Sequence, residues 1–247
     1  MSHVEFLGAP GSGKSSIYRA VLSRESGVLG LEEAVRTSLR ATARDPITRL
    51  AAGLSRSAES RLWRAVYGRS PDRFQGLTEF ARAHPDVLAA VSEAIPGMHG
   101  DGAEEGLGWV LNLMARYQVA TRITGRRLLV DEGFYQRAVV LFAYPFSESS
   151  VSTLDAYLDA APAPRLVVYV DAPPEVCRQR LTTRGWSRRV AEGERNSFLV
   201  DTFRVVELAR EHAEKRAATL IVDGTEPVEH NASLVIEHLR VGSEDPS

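Results

Sequence analysis

Residues 3–16 read HVEFLGAPGSGKSS, and this stretch decides the fold. Residues 3–7 are a short, largely apolar run that predicts a buried strand, and a helical pattern begins at Ser15. Between them, the segment from Gly8 to Ser15 has the spacing glycine, four residues, glycine-lysine-serine, which is typical of a phosphate-binding loop. A strand, a glycine-rich loop and a helix in this order predict the first unit of an α/β sheet.

The residue types in this loop suit a nucleoside triphosphate. Glycines let backbone N–H groups turn toward a phosphate, and the N-terminus of the following helix favours an anion. Lys14 supplies a compact positive charge to the β- and γ-phosphates, and Ser15 offers a hydroxyl to Mg²⁺. The chain has 28 arginines but only two lysines, so a lysine at this position stands out. The predicted nucleotide-binding loop consists of Gly8, Ala9, Pro10, Gly11, Ser12, Gly13, Lys14, Ser15 and Ser16.

Composition excludes several classes of protein. The 247 residues carry a formal net charge of −2, whereas a dedicated nucleic-acid-binding protein usually has a strong basic excess. Cys177 is the only cysteine, which excludes a disulfide framework and a cysteine-based zinc site. No apolar run is long enough to span a membrane, and the first residues do not resemble a signal peptide. We therefore expect a cytoplasmic protein with neither nucleic acid nor membrane as a partner.

Further strands follow a long helical region. Largely apolar runs at residues 127–131, 166–171 and 219–222 each end in or lead into an aspartate, and helical patterns separate them. Short apolar strands alternating with helices indicate a parallel sheet covered on both faces. Between residues 30 and 126 only helical patterns are visible, at 31–43, 47–66, 77–83, 85–94 and 107–123. We expect a core made of residues 1–29 and 127–241, a helical region at 30–126, and a disordered tail at 242–247.

Asp131 is the candidate acidic group of the site. It ends a predicted strand, and the carboxyl ends of parallel strands open into the same crevice as the phosphate-binding loop. There it could hold Mg²⁺ together with Ser15, or accept a proton from an attacking hydroxyl group. The next residue, Glu132, could face the same crevice or point away from it.

A cluster of arginines follows the strand at residues 166–171. Five arginines lie between Arg178 and Arg189, and a polar stretch continues to Asn196. Such a charge run is usually a solvated helix face, but arginines closing over a triphosphate would stabilise the charge that develops during phosphoryl transfer. We interpret residues 184–197 as a lid.

With these residues in view, the chain resembles P-loop kinases of the nucleoside and nucleoside-monophosphate kinase group. It is most similar to the thymidylate kinase-like and deoxynucleoside kinase-like branches. Four segments carry the resemblance: GAPGSGKSS at 8–16, LLVDEGFYQR at 128–137, VVYVDAPPEVCRQRLTTRG at 167–185, and IVDGTEPVEH at 221–230. The resemblance implies a three-layer P-loop NTPase fold with a five-stranded parallel sheet, of which four strands are visible in the sequence. It also makes residues 30–126 a helical acceptor-binding region.

The resemblance implies roles for individual residues as well. Asp131 matches the catalytic or Mg²⁺-organising carboxylate, with Lys14 as its partner on the phosphates. The lid arginines correspond to Arg184 and Arg188, which would be catalytic. Residues implied to contact the nucleotide outside the loop are Arg180, Arg184, Gly224 and Thr225. Residues implied to contact the acceptor are Arg116, Gln118, Glu132 and Arg137.

One departure from the family bears on the acceptor. Its members commonly have an acid followed by an arginine after this strand, whereas the chain has Asp131 followed by Glu132. A carboxylate there would repel an acceptor phosphate at close range. We therefore expect an acceptor other than an ordinary nucleoside monophosphate, such as a neutral or cationic hydroxyl compound.

The predicted function is transfer of the γ-phosphate of Mg-ATP to a hydroxyl or phosphate of a small molecule. The main alternative is a P-loop NTPase or nucleotide-dependent switch that hydrolyses ATP or GTP, because LLVDE also resembles a strand whose glutamate activates water. A non-enzymatic nucleotide-binding protein is the third reading. The predicted cofactors are ATP and Mg²⁺, the choice between ATP and GTP stays open, and an apolar helical face could support a homodimer.

Overall fold

A parallel sheet forms the centre of the molecule. In the computed structural model, the described residues are 3–54, 59–98, 103–123, 125–143, 146–187 and 190–241. Within them the strands are β1 (His3–Leu7), β2 (Val28–Gly30), β3 (Arg127–Val130), β4 (Leu166–Asp171) and β5 (Ala218–Asp223). They pair in the order β2-β3-β1-β4-β5, and every pairing is parallel. The strand that precedes the glycine-rich loop is therefore central.

Helices cover both faces of this sheet. Side chains alternate along β1 and β4, so that Phe6 and Val168 pack on one face while Leu7 and Val167 pack on the other. The helices of the described residues are α1 (Lys14–Arg24), α2 (Leu31–Thr42), α3 (Pro46–Gly53), α4 (Glu59–Arg69), α5 (Pro71–Ala83), α6 (Pro85–Ala94), α7 (Ala103–Ala120), α8 (Phe134–Phe142), α9 (Val151–Ala160), α10 (Pro174–Arg184), α11 (Arg195–Arg216) and α12 (Val228–Val241). The first face packs in one cluster with α1 and α12, and the second packs in another with α2–α9 and α11, while Cys177 on α10 packs with Ala9 and Ala172. This arrangement confirms the predicted three-layer α/β fold.

The fifth strand, implied only by the family resemblance, is β2. It has three residues and lies at the edge of the sheet beside β3, with Val28 opposite Arg127. A strand of this length shows no measurable alternation, which explains why no strand is visible there in the sequence.

One predicted helix is wrong. Residues 47–66 do not form a single helix, because α3 ends at Gly53 and α4 begins at Glu59. The side chain of Asp45 accepts hydrogen bonds from the N–H groups of Ile47 and Thr48 and so begins α3, while Leu54 has an extended backbone and ends it. The predicted tail at 242–247 lies outside the described residues. Within the described residues, no helix has both the length and the apolarity needed to cross a bilayer.

Candidate functional site

The glycine-rich loop has a tightly turned backbone between β1 and α1. Gly11 and Gly13 have φ angles of 89° and 108°, a region that favours glycine. A Cβ atom on Gly11 would lie 2.7 Å from the carbonyl oxygen of Cys177, so the loop also packs closely against α10. The Ser12 N–H donates to the Ala9 carbonyl at 3.0 Å. The strand, loop and helix predicted around the phosphate-binding motif are thus present.

Lys14, the first residue of α1, is almost completely buried. Its side chain is 8% exposed, and this burial lowers the pKa of its ammonium group. The carboxylates of Asp131 and Glu132 act to raise that pKa, while the guanidinium group of Arg184 acts to lower it. The fold therefore places Lys14 close enough to Asp131, Glu132 and Arg184 for their charges to act on it.

Asp131 lies in the turn that follows β3, beside the phosphate-binding loop. Burial raises the pKa of its carboxyl group, while the hydroxyl of Ser15 and the charge of Lys14 act to lower it. Its Oδ1 atom is buried and has no hydrogen-bond partner among the described residues. A buried polar atom without a partner is costly, so this oxygen fits a group that arrives with a ligand.

Ser15 and Asp131 also fit the predicted Mg²⁺ ion. Among the described residues, no group of three or more histidine, cysteine, aspartate or glutamate side chains could hold a metal. Mg²⁺ needs no such cage, because it usually takes one or two protein oxygens together with phosphate oxygens and water. A hydroxyl and a partnerless carboxylate oxygen beside a phosphate-binding loop supply donors of this kind.

Glu132 is not an isolated charge. Its carboxylate lies 2.6 Å from the guanidinium of Arg137 on α8, and Arg137 is itself only 14% exposed. The guanidinium lies 5.5 Å from the centre of the Trp109 ring on α7. The structure therefore brings two of the residues predicted to contact the acceptor, Glu132 and Arg137, into one ion pair beside Asp131.

Arg116 on α7 pairs with Glu32, the second residue of α2, which follows β2 directly. Their charged atoms are 3.7 Å apart, and Glu32 is half exposed. Burial raises the pKa of the nearby Tyr18 hydroxyl on α1, and the charges of Asp131 and Glu32 raise it further while Arg116 lowers it. Glu32 was not predicted because the strand before it is too short to be visible in the sequence, and no motif singles out Tyr18 within α1.

Gln118 does not join this group. It lies two residues after Arg116 on α7, a rotation of about 200° around the helix axis, and so faces another side of the helix. The prediction that both residues contact one acceptor therefore has geometric support only for Arg116.

The arginines of α10 divide into two kinds. Arg180 donates to the carbonyl oxygens of Gly11 at 3.2 Å, Ser12 at 3.0 Å and Gly224 at 3.0 Å, so it connects two loops of the site. Arg184, one turn later, is exposed and acts on the pKa of Lys14. The predicted lid arginine Arg188 lies outside the described residues, as does Arg189.

The loop after β5 lies against the phosphate-binding loop. A Cβ atom on Gly224 would overlap the Ser12 carbonyl oxygen, so only glycine allows this approach. The Asp223 carboxylate accepts from the N–H of Thr225 at 2.7 Å and from its hydroxyl at 2.6 Å, which holds the turn. The structure thus brings Gly224 and Thr225 to the edge where the nucleotide is predicted to bind.

Two further residues, Gln136 and Glu5, join α8 to the strand and loop of the site by hydrogen bonds, and no sequence motif singles them out. Gln136 on α8 accepts the N–H of Gly8 at 3.1 Å, and Glu5 on β1 accepts two N–H groups at the start of α8. A glutamate at the centre of a buried strand is an unusual signal that could have identified the second of them.

Comparison with known proteins gives a match in fold but none in sequence. No protein-family model and no curated protein matches the chain. The structure of deoxyadenosine kinase from M. mycoides with bound dATP is similar, with 12% identity, 96% of this chain and 99% of that chain covered, and a TM-score of 0.53. The same enzyme with bound dCTP has 11% identity, 97% and 99% coverage, and a TM-score of 0.51. At this identity the likeness concerns the fold alone, and the chain has the P-loop fold of deoxynucleoside kinases over nearly its full length.

Proposed function

We propose that this protein is a kinase that transfers the γ-phosphate of Mg-ATP to a hydroxyl group of a small molecule. One observation carries the proposal: the buried ammonium of Lys14 and the partnerless buried oxygen of Asp131 lie together beside the glycine-rich loop. A lysine on the phosphates and a carboxylate that organises the metal are the groups that phosphoryl transfer needs most.

The roles we propose follow from these positions. The loop N–H groups and Lys14 would hold the β- and γ-phosphates, while Ser15 and Asp131 would hold Mg²⁺, which neutralises developing charge when bound. Arg184, exposed and close to Lys14, would stabilise the transferring phosphoryl group from the lid side. The loop with Gly224 and Thr225 would contact the base of the nucleotide, with Arg180 holding it against the phosphate-binding loop.

The acceptor would lie on the opposite side of Asp131, against the helical region at 30–126. Among the described residues, the charged groups there include the ion pairs Glu132–Arg137 and Glu32–Arg116. Each guanidinium group of these pairs is matched by a carboxylate, so neither pair offers an uncompensated positive charge to an acceptor phosphate. We therefore propose an uncharged or cationic hydroxyl compound, and the fold shared with a deoxyadenosine kinase makes nucleosides the first class to test.

The pairing of Glu132 also bears on the hydrolase alternative. A glutamate that activates water needs a carboxylate available to accept a proton. In this chain the Glu132 carboxylate is engaged by Arg137 at 2.6 Å, which favours the kinase over the NTPase reading.

An ATP-consumption assay separates these functions. We expect ATP turnover to depend on an added acceptor and to be found within a panel of nucleosides, nucleotides, sugars and aminoglycoside-like compounds. The Lys14→Ala variant is the matched control for contaminating activity. Equal turnover in water alone would instead support the hydrolase, and binding of ATP without turnover on any acceptor would support a non-enzymatic nucleotide-binding protein.

Compartment and oligomeric state stay predictions. We propose a cytoplasmic protein, and a homodimer formed through exposed apolar side chains such as Ile47 and Leu50 on α3 and Phe74 on α5. Light scattering during size-exclusion chromatography would measure the mass, and a monomer at all accessible concentrations would contradict the dimer.

A further inference from the structure

We propose that Glu5 is a positioning residue that sets the turn carrying Asp131 against the phosphate-binding loop. The described hydrogen bonds of Glu5 go to His3, Phe134 and Tyr135, so its action would pass through α8. The kinetic part of this inference rests on the proposed function, whereas its structural part does not.

Glu5 provides the N-terminal cap of α8 from a neighbouring strand. Its side chain is fully buried at the centre of β1, and its two carboxylate oxygens accept the N–H groups of Phe134 at 3.0 Å and Tyr135 at 2.9 Å. The first N–H groups of a helix have no partner within the helix, and a carboxylate is favourable there. The residue before α8 is Gly133, which has no side chain to do this.

Gly133 is matched to this cap. A Cβ atom at Gly133 would overlap the carboxyl group of Glu5, so a larger residue at 133 would displace Glu5 from the position in which it accepts the two N–H groups of α8. Asp131 and Glu132 are the two residues between the end of β3 and this glycine. The position of the turn therefore depends directly on the contact between β1 and the start of α8.

The same helix holds the first residue of the phosphate-binding loop. Gln136, 6% exposed, accepts the N–H of Gly8 at 3.1 Å and lies one residue after the second N–H group that Glu5 caps. Glu5 thus holds the start of α8 in place. The first turn of α8 contacts the glycine-rich loop through Gln136, and the turn that carries Asp131 leads directly into it. The loop and Asp131 are the two parts of the site that would have to meet around a phosphoryl group.

Further contacts hold the Glu5 carboxylate in place. The imidazole Nε2 of His3 lies 3.0 Å from Glu5, and the Tyr117 hydroxyl lies 3.3 Å from the other ring nitrogen of His3. His3 is 1% exposed and Tyr117 belongs to α7. Burying a carboxylate costs desolvation energy that an apolar residue would avoid. The buried Glu5 is therefore better explained by a role in positioning α8 than by a contribution to stability.

The test compares two glutamates whose carboxylates accept backbone N–H groups. Glu5→Gln keeps the size of the side chain but replaces one acceptor oxygen with an NH₂ group that faces an N–H donor. The matched control is Glu25→Gln, because the Glu25 side chain is 16% exposed and accepts the N–H of Gly27 at 3.2 Å, at the end of α1 opposite the glycine-rich loop. For both variants the measurements are Tm, kcat and KM for ATP, and the hydrogen-exchange rates of individual amides.

We expect both variants to have a lower Tm, but only Glu5→Gln to change catalysis. Displacement of a reacting group by about 1 Å can cost roughly 100-fold in rate, so a kcat at least about tenfold lower is expected, with the KM for ATP changed less than about threefold. Exchange should be faster at Gly8 as well as at Phe134 and Tyr135. A kcat within twofold of wild type, or unchanged exchange at Gly8, would overturn the proposal.

Two further measurements cover the cases in which Glu5→Gln does not fold or no phosphate acceptor is found. If Glu5→Gln does not fold, Gln136→Leu breaks the connection at its other end, and an unchanged kcat in that variant overturns the proposal. If the wild-type protein transfers phosphate to no acceptor, the proposed function fails, and the exchange at Gly8 alone decides whether Glu5 controls the loop.

Discussion

The carboxylate of Glu132 lies 2.6 Å from the guanidinium of Arg137, five residues further along the chain. This pair places a nearly neutral group where an isolated acid would repel an acceptor phosphate. A non-phosphorylated acceptor would therefore be favoured because the guanidinium groups of Arg137 and Arg116 are matched by carboxylates, rather than because Glu132 alone repels a phosphate.

The first prediction follows from this pair. Glu132→Gln leaves the Arg137 guanidinium uncompensated, which favours an acceptor phosphate by roughly 1–3 kcal/mol at a partly exposed site. The ratio of kcat/KM for a nucleoside monophosphate to that for the corresponding nucleoside should rise about tenfold. The control is Glu214→Gln, which disrupts an ion pair with Arg210 on α11, outside the lid and the acceptor-binding region, and should leave the ratio unchanged. The same ratio in both variants would show that Glu132 does not face the acceptor.

Lys14 should be essential for phosphoryl transfer but not for folding. Lys14→Met removes the charge from the phosphates, and kcat should fall at least about 100-fold. Burial lowers the pKa of this ammonium, so the folded state disfavours its charged form, and the variant should be no less stable than wild type. Thermal unfolding with and without ATP checks both points: wild type should gain Tm with ATP, and the variant should not. Unchanged turnover would exclude this site.

Asp131→Asn should affect the rate more than nucleotide affinity. The amide keeps the shape of the side chain but loses the charge that would organise Mg²⁺ or receive a proton. We expect kcat to fall about 100-fold or more, with the Kd for ATP changed by only a few fold. Single-turnover kinetics and direct ATP titration measure the two quantities separately. A loss of ATP binding with a normal rate at saturation would identify Asp131 as a structural residue instead.

The pH dependence of stability offers an independent test of Asp131. Burial raises the pKa of its carboxyl group in the folded protein, so the folded state binds the proton more tightly than the unfolded state does. The stabilising contribution is complete below the unfolded pKa and is lost as the pH rises through the folded pKa. Asp131→Asn should therefore raise Tm at neutral pH, by about 2–4 °C for each kcal/mol removed, and raise it less at acidic pH. A variant with lower Tm at neutral pH would contradict the assigned direction.

Arg180 should support the site through its contacts with the backbone. Arg180→Met removes hydrogen bonds to three carbonyl groups, and at this partly buried position a loss of about 1–3 kcal/mol in the free energy of unfolding is expected. Because the phosphate-binding loop and the Gly224 loop lose their connection, the KM for ATP should rise. Arg178→Met on the same helix removes only an exposed contact with Asn196 and serves as the control in urea unfolding. Equal behaviour of the two variants would show that the backbone contacts of Arg180 do not matter.

Local spacing was enough to predict much of the molecule. The loop at residues 8–15, the strands β1, β3, β4 and β5, and most helices follow from patterns within a few consecutive residues. Proximity of Asp131 to Lys14 could also be predicted, because the carboxyl ends of adjacent parallel strands share one edge. The three-residue strand β2 and the break between α3 and α4 were beyond such reasoning, since neither leaves a periodic signal.

By itself, then, the sequence determined the glycine-rich loop between β1 and α1, the class of fold and the acid that lies beside this loop. The tertiary structure alone decided the partner of each charged side chain. Glu132 pairs with Arg137 and Glu32 pairs with Arg116, whereas Arg180 donates hydrogen bonds to backbone carbonyls of two loops. It also brought Glu5 to the start of α8, across 129 positions of the chain. Backbone periodicity is encoded locally, whereas a side-chain partner depends on distances that exist only after distant segments have packed.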